Sequence, residues 1–189
     1  EIAPTFVLSS ARVQRLTGIL TRHWAEDREA SSDMAIAAGR RALDAAGCTA
    51  SSIDAIILST TSPDMAFPST ACSVQRGLGC RPVGAFDVSA SCSGFLYGLS
   101  MAQVMVQTGR IRTCLIVASE VKSRSLDLQD ATTALLFGDG AGAVILRGEE
   151  DRSPEWRGVL GIRLYADGAH HVRGEVGRAM FFEDLERES

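Results

Sequence analysis

The stretch from Arg81 to Gly109, RPVGAFDVSASCSGFLYGLSMAQVMVQTG, constrains the chain more than any other, because it reads as a buried strand, a tight turn carrying one cysteine, and a long helix. Val83 to Val88 is a short apolar run suited to an interior strand. From Phe95 onward Leu96, Leu99, Ala102, Met105 and Val106 recur at helical spacing until Gly109 stops the pattern. This puts Cys92 at a helix N-terminus, where unpaired backbone N–H groups and the positive end of the helix dipole favour a thiolate. Its neighbours Ser89, Ala90, Ser91, Ser93 and Gly94 are small and leave room for a substrate. These are the needs of a nucleophile. Free cysteine is also a common small core residue, and spacing alone leaves both readings open.

The flanking sequence supplies the layers. Residues 1 to 30 read as irregular, with Pro4 early and mixed charge from Arg22 to Glu29. Ser31, Ser32 and Asp33 then give a helix start, Met34 to Ala46 keeps its apolar residues on one face, and Gly47 ends it. Asp54 to Thr61 is a buried strand. A loop held by Pro63 and Pro68 follows, then a helix from near Ser69 to Gly77 or Gly79. Thr113 to Ser119 is another apolar strand, so strands alternate with helices as in a mostly parallel sheet covered on both faces. Beyond the polar stretch Glu120 to Thr133, Ala134 to Phe137 and Ala143 to Leu146 read as a strand pair around Gly138-Asp139-Gly140-Ala141-Gly142. Arg147 to Arg157 reads as a surface loop and Val159 to Tyr165 as a further strand, with His170 and His171 in a solvated turn rather than a catalytic role.

Several functions are disfavoured. The glycines at 138, 140 and 142 do not fit a dinucleotide fingerprint, because the third is misplaced and the AVILR after it looks like a strand, leaving no helix end for a pyrophosphate. A tight turn with positive φ and close backbone approach is the better reading. A net charge of −4 with scattered arginines gives no footprint for nucleic acid. No apolar run approaches the roughly 20 residues needed to span a bilayer, so a cytoplasmic location is expected. The five cysteines form no C-x-x-C pair and no metal-ligand spacing with the three histidines, which argues for reduced thiols and against a metal site. With 46% hydrophobic and 22% charged residues in 189, one compact globular unit is expected.

The segment Asp87-Val88-Ser89-Ala90-Ser91-Cys92-Ser93-Gly94-Phe95 resembles the nucleophile segment of the β-ketoacyl-acyl carrier protein synthase III family, among the thiolase-like condensing enzymes. Thr17-Gly18-Ile19, Ala66-Phe67-Pro68-Ser69, Phe137-Gly138-Asp139-Gly140-Ala141-Gly142-Ala143 and Ala166-Asp167-Gly168 extend the resemblance in order and spacing. It implies an α/β thiolase-like layered fold, the N-terminal half of a duplicated αβαβα architecture, over residues 1–168, with 169–189 beginning or leading to the second half. It implies that Cys92 accepts an acyl group and condenses it with a malonyl-type thioester, without a cofactor. Gly138 and Gly140 would lie on a loop that supports the site and contributes to substrate binding. Phe67 would close the end of a neighbour's acyl pocket across a dimer.

Two departures from the family pattern matter. Tryptophan and arginines that clasp a coenzyme A primer in the family are replaced here by Arg12, Leu16 and Ala131, which makes an acyl carrier protein a credible donor beside acyl-CoA. The histidine and asparagine of the Cys-His-Asn set come from the family's second half. No asparagine occurs in these 189 residues, so a continuation or partner chain would have to supply them. A homo- or hetero-oligomer is expected. Gly177 to Phe181 resembles the opening of that second half. The competing readings are a non-catalytic structural or regulatory subunit, and acyl transfer to oxygen or nitrogen without decarboxylation.

Overall fold

The computed structural model describes residues 9–149 and 158–170. They group into two compact units, one drawn from residues up to Trp24, Lys122–Asp139 and Tyr165 onward, the other from Ala25–Val121 and Gly140–Leu164.

The larger unit is built on a four-stranded sheet of order β2-β1-β3-β4, where β1 is Ala55–Ser59, β2 Gly84–Val88, β3 Thr113–Glu120 and β4 Gly140–Arg147. β1 pairs in parallel with both β2 and β3, while β4 runs antiparallel to β3 with Gly140 opposite Glu120. Every residue of β1 is buried, as a central parallel strand covered on both faces requires. Its side chains alternate between two cores. Ile56 and Leu58 join Leu115 and Val117 of β3 under Ala35 and Leu43 of α2 (Ser31–Ala46) and Ala71 and Val74 of α3 (Thr70–Leu78). Ala55 and Ile57 join Cys114 and Ile116 under Ala102 of α4 (Gly94–Gln107).

Three strand expectations are corrected. β2 lies at an edge of the sheet rather than in its interior, with Gly84 exposed and Ala85 to Val88 half-buried, because it pairs with β1 alone. Residues 134–137 form no strand: Ala131–Ala134 is a single helical turn, α5, and the partner of β4 is β3. Val159 to Tyr165 is not in a ladder either, although the Val159 carbonyl accepts a hydrogen bond from Gln103 Nε2 at 3.5 Å.

The smaller unit corrects the first thirty residues. Ser10–Thr17 is a helix, α1, whose cap Ser9 accepts the Arg12 N–H through Oγ at 3.2 Å and which ends in the left-handed Gly18, φ 73°. Serine before and glycine after are ordinary helix punctuation, hidden in the sequence by the mixed charge that follows. Asp139 ties the His23 segment to the 122–139 segment: its amide donates to the His23 carbonyl at 2.8 Å, and its carboxylate accepts the Ser123 amide and hydroxyl. Gly168–His170 is one 3₁₀ turn. His171 and Gly177 to Phe181 lie outside the described residues.

Candidate active site

Cys92 sits where the sequence pattern puts it, in a 3₁₀ turn, Ser91–Ser93, between the end of β2 and the start of α4, and it is exposed. The turn is built by three local devices. Ser91 has φ 47°, the left-handed region that a residue with a Cβ enters at a cost of about 1–2 kcal/mol. The amides of Ser93 and Gly94 donate to the carbonyls of Ala90 and Ser91. Gly94 then enters the helix with ordinary right-handed angles, φ −58° and ψ −35°, so its need to be glycine is steric: a Cβ there would lie 2.1 Å from Ser59 Oγ and 3.2 Å from Ser59 Cβ.

That contact fixes the depth of the helix on the sheet. A Cβ on Gly98 would meet the Cγ2 atoms of Ile57 and Ile116 at 3.2 and 3.3 Å, and Gly94, Gly98 and Ala102 are the buried residues of α4. The sheet-facing side of the helix is thus its small-residue row. Phe95, Leu99 and Met105 pack half-buried against the same core, while Leu96, Met101 and Val104 are exposed. The apolar recurrence picked out Ala102 of this row and not Gly94 or Gly98, because glycine contributes nothing to such a pattern.

Asp87, one residue from the end of β2, has a structural role that the sequence reading missed. Its carboxylate accepts the Thr70 and Ala71 amides at 2.7 and 2.8 Å, satisfying two open N–H groups at the start of α3. A carboxylate inside an otherwise apolar strand was the available signal. The β2 end that leads to Cys92 is thereby tied to α3, and α3 in turn to the loop that carries Phe67, through Thr70 Oγ1 accepting the Asp64 amide at 3.0 Å. Phe67 is 83% exposed on that loop.

The glycine-rich loop is divided between the units. Gly138 packs tightly in the smaller one, where a Cβ would meet the His23 carbonyl and Arg22 Cβ at 3.1 Å. Gly140 begins β4 in the larger unit with open space around its Cα. Close approach is therefore the requirement at Gly138, whereas neither glycine has the positive φ that the turn reading required. Five free thiols are present, and Cys92 is the exposed one. Burial, with the charge of Asp54 behind it, pushes the Cys114 thiol up to about 12. No helix among the described residues is long and apolar enough to cross a membrane.

A solved structure similar to this chain is 3-oxoacyl-(acyl-carrier-protein) synthase III from Aquifex aeolicus, with a TM-score of 0.83 and 39% identity, covering 89% of this chain and 53% of that one. The priming β-ketosynthase of the R1128 polyketide pathway follows the same fold, with a TM-score of 0.76 and 35% identity over 80% of this chain and 46% of its own. The mixed sheet with helices on both faces is a thiolase-like α/β fold. Residues 86–168 match the family described as 3-oxoacyl-(acyl-carrier-protein) synthase III. Over 173 residues the chain is 50% identical to the β-ketoacyl-(acyl-carrier-protein) synthase III of Rhodospirillum rubrum, covering 90% of this chain and 53% of that protein. The chain is similar to β-ketoacyl-acyl carrier protein synthase III proteins, and spans about half the length of the curated relatives it matches.

Proposed function

We propose that the chain is the acyl-accepting half of a condensing enzyme and that Cys92 is its nucleophile. The observation that carries this reading is the exposed thiol on a strained turn at the foot of α4, within the matched family segment. The Cys92 sulfur attacks the carbonyl of an acyl thioester. A new carbon–sulfur bond forms, the donor's carbon–sulfur bond breaks, and the thiol proton of Cys92 leaves on the donor thiol. The Cys92 amide, ahead of the Ser93 and Gly94 amides already bonded within the turn, is the oxyanion donor we assign. In the second stage a malonyl thioester releases carbon dioxide and its α-carbon attacks the acyl group. Cys92 departs as a thiolate and regains a proton from solvent.

The donor is an acyl thioester of a carrier protein or of coenzyme A, the first made credible by Arg12, Leu16 and Ala131 standing where the family has the groups that clasp coenzyme A. Phe67 is assigned to the end of a partner subunit's acyl pocket in an oligomer, a role its exposure supports. Residues 169–189 would lead toward the second half, which brings the histidine and asparagine. Intact-mass analysis after incubation with acyl thioesters tests the reading. One acyl adduct is expected on the wild-type chain and none on Cys92→Ala. A wild-type chain that stays unmodified with a complete second half present overturns it.

A further inference from the structure

Behind the Cys92 turn, at the C-terminal end of the parallel strands, one charged side chain is turned into a set of small polar residues. Glu120, the last residue of β3, accepts the Thr61 amide at 2.8 Å and the Thr61 hydroxyl at 3.0 Å on one oxygen, and the Ser62 hydroxyl on the other. Ser62 Oγ in turn accepts the Val121 amide at 2.8 Å, and the Ser62 carbonyl accepts the Ser31 hydroxyl at 2.6 Å from the first turn of α2. Ser119 Oγ closes the set by donating to the Ser31 carbonyl at 2.8 Å. The loop leaving β1 is therefore pinned to β3 and α2 at once.

This loop is continuous with the surface on which the nucleophile turn rests. The Thr60 amide donates to the carbonyl of Val88, the last residue of β2, at 3.1 Å, and Ser62 N donates to Thr60 Oγ1 at 3.1 Å. Ser59 is the residue against which Gly94 closes, with Val88 O also within 3.8 Å of a Cβ built there. From Glu120 the path runs through Thr61 and Ser62 to Thr60 and Ser59, and from these to both ends of the turn, Val88 before Cys92 and Gly94 after it. A carboxylate suits this post because it accepts several bonds and has no proton of its own to place. Its removal leaves the Thr61 amide and two hydroxyls without their acceptor in a part-buried position.

We infer that Glu120 is a positioning residue for Cys92, holding the Ser59–Ser62 segment and through it the angle of the nucleophile turn. The inference rests on the acylation reading for its kinetic consequence and on geometry alone for its structural one. Two measurements on the full chain keep them distinguishable: the rate of Cys92 acylation by hexanoyl N-acetylcysteamine thioester, and amide hydrogen exchange over residues 88–98. Glu120→Ala should lower the maximal acylation rate by about 10- to 100-fold, leave the half-saturating thioester concentration unchanged, and speed exchange at Ser93 and Gly94. Glu120→Gln keeps an acceptor for Thr61 and can donate to Ser62 Oγ, so it should recover most of both. Asp54→Ala, at the opposite end of the same strands, is the stability control and should change neither readout while the chain remains folded. If Glu120→Ala does not fold, Ser62→Ala removes one link of the path and should give an intermediate effect. Wild-type exchange over 88–98 in the Glu120 and Ser62 variants, or changes matched by Asp54→Ala, would overturn the inference whether or not acylation occurs. Absence of acylation in the wild type would instead count against the proposed function.

Discussion

Gly94→Ala is the most direct test of how the nucleophile turn is built. The added methyl would sit 2.1 Å from Ser59 Oγ and 3.2 Å from Ser59 Cβ, against ordinary carbon contacts of about 3.5–4 Å. Rotating Ser59 about χ1 relieves the first contact and leaves the second, so the start of α4 must lift by a few tenths of an ångström. Overpacking of this kind costs about 1–3 kcal/mol, and the better helix propensity of alanine returns less than about 1 kcal/mol at a first-turn position. A net loss of about 1–2 kcal/mol is expected in urea unfolding, seen as a lower midpoint at unchanged slope. Ser59→Gly removes both atoms the methyl meets. In that background Gly94→Ala should cost nothing, giving a coupling energy of about 1–2 kcal/mol in the double-mutant cycle. Equal losses in the two backgrounds, or a single mutant as stable as wild type, would refute the steric argument.

Three further outcomes follow from the same geometry. Ser91→Gly should stabilise the fold by about 0.5–1 kcal/mol by removing the cost of φ 47°, and Ser91→Val should destabilise it by more than that; thermal unfolding that ranks the two the other way would refute the strain. Burial pushes the Asp54 carboxyl up, but the Thr113 and Arg112 amides and the Arg81 guanidinium outweigh it and hold it below the usual aspartate range. Its contribution is therefore complete above the unfolded value near ~3.9 and lost as pH falls through the lower folded one, so the gap between wild type and Asp54→Asn in a pH series of unfolding midpoints should close only below about pH 4. Under iodoacetamide at mildly alkaline pH, peptide mapping should find Cys92 alkylated first and Cys114 untouched until unfolding; early label on Cys114 would contradict its burial and its pKa of about 12.

Those features differ in how far the sequence exposes them. The α2 and β1 segments were legible because period and punctuation agree: Gly47 does end α2 with φ 60°, and the apolar run at 55–58 is buried on both faces. The position of Cys92 was legible for the same reason, since a strand pattern changes to a helix pattern across it. The false strand at 134–137 arose because four apolar residues in a row suit a strand or a buried helical turn equally, and only the pairing of β4 with β3 decides between them. The depth of α4 was hidden, since it is set by what Gly94 and Gly98 lack. The roles of Asp87 and Glu120 were hidden too, because a carboxylate that caps a helix or pins a loop finds its partners across the fold, at residues 70 and 71 for one and 61 and 62 for the other.

The chemistry of the proposed reading divides along the same line as the sequence. Accepting an acyl group requires a thiol, an oxyanion donor and a fixed angle of approach, and all three can be assigned to residues 59–62, 88–94 and 120. Forming the carbon–carbon bond requires more, because decarboxylation leaves negative charge on an enolate oxygen, and removing one donor to such a charge typically costs about 100- to 1000-fold in rate. The chain contains no asparagine, and its histidines are His23, on the smaller unit, with His170 and His171 adjacent in sequence. On this reading decarboxylation needs donors beyond those of the Cys92 turn, while that turn contributes the same geometry to both stages. A lesion in the Glu120 path should therefore slow acylation and condensation together, and a Glu120→Ala chain that acylates at the wild-type rate while failing to condense would refute that shared dependence.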